Sequence, residues 1–256
     1  MALQVLQTSA KNKGTKNPRP ALSLPGLLLV LLAVLGGALV AVVVLPGWLP
    51  GLGASLFGTS PKVFWYLSRA SAIVAYVLIW TSMAFGLGIT NRLASLWPGA
   101  PTTYALHQYT GLLGLGFAVL HALLLMGDRY INYTLVQLLV PFAGANYRQV
   151  WVGLGQIGIY LLAVVGLSFY ARKQITTRWW RVIHTLSFVI FLLVMAHGLA
   201  SGTDSTGVWA VTMYWLSGGS LLFLAIYRIL VRRYVRLSEA RFPGPAQATP
   251  HSKAHH

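Results

Sequence analysis

Four of the seven histidines, His107, His121, His184 and His197, lie inside long apolar runs where no other ionisable group is found at that depth. An imidazole can ligate a metal, relay a proton or hydrogen-bond a neighbouring helix. Buried in hydrocarbon it is costly enough to be a functional candidate by default. One such histidine is accounted for by a bond between helices, but four in a paired pattern ask for more. His107 and His121 are 14 residues apart and His184 and His197 are 13 apart, about 21 and 19.5 Å along a helix axis. The other three, His251, His255 and His256, form a loose cluster in a polar tail and define no site.

Composition sets the elements that must hold these residues. Hydrophobic residues make up 56% of the 256 and charged residues only 9%, against roughly a quarter charged in a soluble domain. Six segments approach the roughly 20 apolar residues of a bilayer-spanning helix: 22–45, 70–90, 103–126, 150–170, 180–200 and 208–228. A seventh stretch, Ile131 to Ala143, is too short to cross and contains Pro141, which predicts an interfacial or re-entrant piece. Of the 19 Lys and Arg, only Lys62, Arg69, Arg129 and Arg148 fall on one side of this arrangement, together with Asp128 and Asp204. The other fifteen mark the cytoplasmic side and place both termini there, in a membrane of the bacterial inner-membrane kind. The net charge of +16 is then explained by topology and attraction to membrane lipid, and no nucleic-acid partner is expected. The absence of cysteine excludes disulfide relays and thiolate-held zinc or iron-sulfur clusters. The expected fold is an all-α integral membrane protein. A six-helix bundle spans 21–235, between a basic tail (1–20) and a second tail (236–256), both expected to be disordered.

The third and fifth spans cross in the same direction, so their histidines form two cross-helix pairs, His107 with His184 and His121 with His197. Facing imidazoles are what six-coordinate haem iron requires, so the pattern predicts two haems between the third and fifth helices. Fourteen residues at about 100° each return to within about 40° of the starting face, whereas thirteen end about 140° away. Either the fifth helix is distorted or the second haem docks from another side. Arg92, Arg178 and Arg181 are candidates for the inner propionates and Arg69 for an outer propionate or an anionic acceptor. Gly111, Gly114 and Gly116 would open a gap for a flat macrocycle or permit ordinary close helix packing.

Several motifs extend the pattern: Leu67-Ser68-Arg69-Ala70, Leu106-His107-Gln108-Tyr109-Thr110-Gly111, Trp179-Trp180-Arg181-Val182-Ile183-His184, and His197-Gly198 followed by Gly202-Thr203-Asp204. With the histidine spacing they resemble the ferric reductase-like transmembrane domain, shared by ferric reductases, NADPH oxidases and the haem subunit of the bacterial methionine sulfoxide reductase system. The resemblance covers roughly residues 65–235. It implies a six-helix bundle carrying b-type haem, with His107 and His184 as the inner ligands and His121 and His197 as the outer ones. No Gly-rich dinucleotide fingerprint follows the last span. The donor is therefore expected to be a separate flavoprotein, a quinol or a flavin at the cytoplasmic face.

The functional expectation is electron transfer from a cytoplasmic-side donor to an outer-face acceptor near His121, His197, Arg69 and Asp204, as the haem-carrying subunit of an oxidoreductase system. The alternative is a haem-free permease or ion-coupled transporter with histidines lining a polar path.

Overall fold

The computed structural model describes residues 23–29, 32, 36, 63–91, 93, 99–144 and 147–241. All regular structure among them is helical. The helices that build the bundle, labelled in chain order, are α1 (Val63–Thr90), α2 (Ala100–Leu124), the short α3 (Leu135–Leu139), α4 (Gln149–Ala171), α5 (Thr177–Thr185), α6 (Ser187–Ser201) and α7 (Val208–Arg241).

Among the described residues four stretches are long and apolar enough to cross a membrane: α1, α4, Thr177–Ser201 and Val208–Tyr234. The chain is an integral membrane protein. Its outer surface agrees, because large apolar side chains such as Leu192, Leu216 and Phe223 stay exposed, where lipid rather than water would cover them. The first expected span, 22–45, lies largely outside the described residues. The third forms as α2, a 25-residue helix whose histidines, Gln108 and threonines leave it less apolar than the other four.

Small residues decide how α1 and α2 meet. A Cβ on Gly114 would stand 3.0 Å from Ile79 Cγ1 and 3.4 Å from the Ile79 backbone nitrogen, and one on Gly111 would stand 3.1 Å from Ser82 Oγ. These glycines let the two backbones approach, as small residues do between membrane helices. They do not hold open a gap for a flat macrocycle, and Gly116 faces open space. On its other side α1 packs against α7 through polar links at successive levels. Tyr76 Oη meets Ser217 Oγ at 2.6 Å, Trp80 Nε1 donates to Ser220 Oγ at 3.0 Å, and Asn91 Nδ2 donates to Leu224 O at 3.2 Å. Between these helices and α6 lies the apolar core of Tyr76, Met83, Leu87, Phe191 and Leu221.

The expected fifth span is broken. α5 stops at Thr185 and α6 begins at Ser187, with Leu186 making an i to i+3 type bond to Ile183 O (3.1 Å). Thr185 Oγ1 donates back to Arg181 O at 2.8 Å, a competition with the helical ladder that bends helices. The break falls between His184 and His197 and removes the ideal-helix geometry on which the angular mismatch rests.

The segment Ile131–Ala143 folds as α3 and flanking turns. A capping box between Thr134 and Gln137 starts the helix. Its carbonyls are claimed by α4: Gln156 Nε2 donates to Gln137 O (2.7 Å) and Leu138 O (2.8 Å), and Tyr160 Oη to Leu139 O. The last carbonyls of a helix have no partner within it, and here Gln156 and Tyr160 supply one.

Candidate functional site

The structure brings the four histidines together as two tiers. The rings of His107 and His184 have centroids 5.8 Å apart at 76°, and those of His121 and His197 are 6.2 Å apart at 67°, both edge to face. α2 supplies one ring of each tier, while α5 and α6, on opposite sides of the break, supply the others.

Three of the rings are pinned by a backbone carbonyl. His107 Nδ1 lies 2.7 Å from Ser82 O, His121 Nδ1 2.8 Å from Ser68 O, and His197 Nδ1 2.9 Å from Trp151 O. A carbonyl only accepts, so Nδ1 must carry the proton, and in the neutral ring Nε2 keeps its lone pair. Each serine closes the clasp with its hydroxyl: Ser82 Oγ donates to His107 O at 2.9 Å and Ser68 Oγ to His121 O at 3.2 Å. His184 is held differently, by the Trp180 indole stacked on it at 5.0 Å and 20°. A Cβ on Gly155 would stand 2.6 Å from His197 Nδ1, so the absence of a side chain on α4 makes room for that ring.

Sequence reasoning did not single out Ser82 or assign Ser68 this role, yet a signal was present. Ser68 and Ser82 are 14 residues apart on α1, the spacing of His107 and His121 on α2. On antiparallel helices, equal spacing brings two Ser–His units into register.

The second tier borders a cavity of about 240 Å³ among α1, α2, α4, α6 and α7, with His121, His197, Tyr76, Tyr133 and Ser201 among its lining residues. Tyr133 Oη and Ser201 Oγ are buried without a hydrogen-bond partner. At the same cavity Arg69 forms an ion pair with Asp204 and lies over the Trp65 ring, 4.2 Å from its centroid. Arg69 is thus committed to a neighbour within the protein. Tyr147 Oη donates to Ser201 O (2.7 Å) and Arg148 to Ala200 O, so the segment before α4 clasps the end of α6.

Each tier gathers two imidazoles. Among the described residues no group of three or more His, Cys, Asp or Glu side chains is placed to hold a metal ion. This donor set corrects the expectation of b-type haem. The flavin expected at the cytoplasmic face falls with it. Arg178 and Arg181 are exposed on α5, and Arg92 lies outside the described residues. No family model, curated protein or solved structure matches the chain.

Proposed function

We propose that the protein carries electrons across the membrane, from a donor on the cytoplasmic side to an acceptor on the outer side, as the electron-transfer subunit of an oxidoreductase system. The observation that carries this reading is the two facing imidazole pairs set at two levels of the bundle, His107 with His184 and His121 with His197.

The similarity of the motifs to the ferric reductase-like transmembrane domain supports the same reading, with six spans and both termini cytoplasmic. Direction follows from charge. The His107–His184 tier lies at the end that carries Arg172, Lys173, Arg178 and Arg181, the side retained in the cytoplasm. A separate flavoprotein or a quinol would deliver electrons there. The acceptor would be met at the other end, beside the cavity and the Arg69–Asp204 pair.

A second reading, a permease or ion-coupled path, is favoured by one observation: the cavity against His121 and His197 contains the unpartnered hydroxyls of Tyr133 and Ser201, groups that could pass a polar solute or proton.

Reconstitution in liposomes separates the two. Ferricyanide is trapped inside and dithionite, which does not cross, is added outside, with a pH-sensitive dye in a parallel sample. Bleaching of trapped ferricyanide well above the rate in protein-free liposomes, and its loss in His107→Ala and in His197→Ala, is the expected result. Proton flux with no bleaching would overturn electron transfer in favour of the ion path.

A further inference from the structure

Helix α7 is longer than a membrane is thick. Its 34 residues, Val208 to Arg241, run as one unbroken helix, about 51 Å at about 1.5 Å per residue. The hydrocarbon core is about 30 Å thick. The bundle keeps company with α7 as far as Leu224, where Asn91 at the end of α1 donates to its carbonyl. Beyond Arg228 some thirteen residues continue as an arm of about 20 Å.

This arm is both charged and apolar. Arg228 and Arg232 stand one turn apart with Arg233 beside them, while Ile229, Leu230 and Tyr234 are 57, 59 and 74% exposed. Arg236 and Arg241 follow on the same helix, and Glu239 is its only acid. At about 100° per residue, Arg228 and Arg232 lie within about 40° of each other, while Leu230 and Tyr234 share a row on the far side. An amphipathic helix of this kind is recognised in a groove. Its charge complement is carboxylate.

Anionic lipid would also complement arginine, but geometry argues against it as the occupant. Attraction to a charged bilayer surface fades within a Debye length, about 8 Å at physiological salt. Along the helix axis the last two turns of the arm lie about 10 to 20 Å past Arg228. Lipid therefore suits Arg172, Lys173, Arg178 and Arg181, near the helix ends, better than it suits the tip of α7. A second copy of the chain would set arginine against arginine.

We propose that the end of α7 is a docking arm for a partner protein that presents an apolar groove flanked by Asp and Glu. Docking is independent of the redox reading; only the partner's role as the electron donor, at the His107–His184 end, rests on it.

The chain has no cysteine, so Ser238→Cys gives a unique labelling site. The full-length protein, nitroxide-labelled there, is placed in nanodiscs of neutral lipid and of lipid containing phosphatidylserine. The probe is a synthetic helical peptide with one leucine row flanked by glutamates. The label should be water-accessible in both nanodiscs and immobilised by the peptide at low salt. Affinity should fall at least about tenfold in Arg232→Glu/Arg233→Glu. That variant should leave dithionite-driven ferricyanide bleaching unchanged, which separates failure of docking from failure of electron transfer. Burial of the label in the phosphatidylserine nanodiscs, a fixed distance between two labels on paired chains, or no response to the peptide would each overturn the proposal.

Discussion

The two histidine tiers are built from one plan on one side and from two plans on the other. On the α1–α2 side they are copies: a serine on α1 offers its carbonyl to Nδ1 and its hydroxyl to the histidine carbonyl, at Ser82–His107 and again at Ser68–His121. On the α5–α6 side they diverge. His197 takes a carbonyl from Trp151 on α4, whereas His184 is held by the face of Trp180 in its own helix. Rigid duplication therefore comes from a helix pair in contact along its length, and asymmetry comes from the broken helix. A ring fixed by a carbonyl has a defined tautomer and orientation, while a ring held by stacking can flip about its Cβ–Cγ bond and keep the stacked face. This makes His184 the adjustable member of the four, at the end where a donor would approach.

The largest test of that contrast is Gly155→Leu. A side chain there would collide with the His197 ring, and overpacking typically costs 1 to 3 kcal/mol. Unfolding in mixed micelles should show a loss near about 3 kcal/mol. Histidine-selective NMR should show only the His121–His197 resonances displaced; displacement of both tiers equally would mean that they are not separate units.

Ser68→Ala and Ser82→Ala should each cost about 1 kcal/mol, and by similar amounts, because each removes the same hydroxyl contacts, to the histidine carbonyl and to Nδ1, and leaves the serine carbonyl in place. A difference beyond about 1 kcal/mol between them would break the repeat. Nitrogen-15 shifts of neutral rings sharpen the comparison without any substitution. His107, His121 and His197 should report a protonated Nδ1, and Trp180→Ala should alter His184 alone.

Arg69→Ala carries the smallest expected effect. The Arg69–Asp204 pair is partly exposed, 27 and 41%, and such pairs contribute under about 1 kcal/mol. Stability should barely change. If the pair matters for an acceptor at the cavity, the rate of ferricyanide reduction on that side will change while unfolding does not.

Much of the site was legible because helical geometry is local. A spacing of 14 on one helix and 13 on another, read with the direction of the spans, suffices to pair His107 with His184 and His121 with His197, and the rings do meet in those pairs. The same arithmetic exposed the 140° mismatch in the fifth span. It could not say how the mismatch is resolved, because no residue type marks the break at Leu186: Thr185 bonds back to Arg181 O, yet Thr81, Thr110 and Thr212 make the same bond in helices that run on unbroken.

What the sequence determined by itself is the membrane character and the pairing of the four histidines, since hydropathy and helix rise are properties of the chain read along one dimension. Only the tertiary structure decided which atoms face the rings. The carbonyls of Ser68, Ser82 and Trp151 are backbone groups present at every residue, so no side-chain pattern marks them out. The pairing of Arg69 with Asp204 joins residues 135 positions apart, and the space for His197 is made by a missing side chain on α4. Each depends on how helices approach one another, a relation that exists only once they are packed.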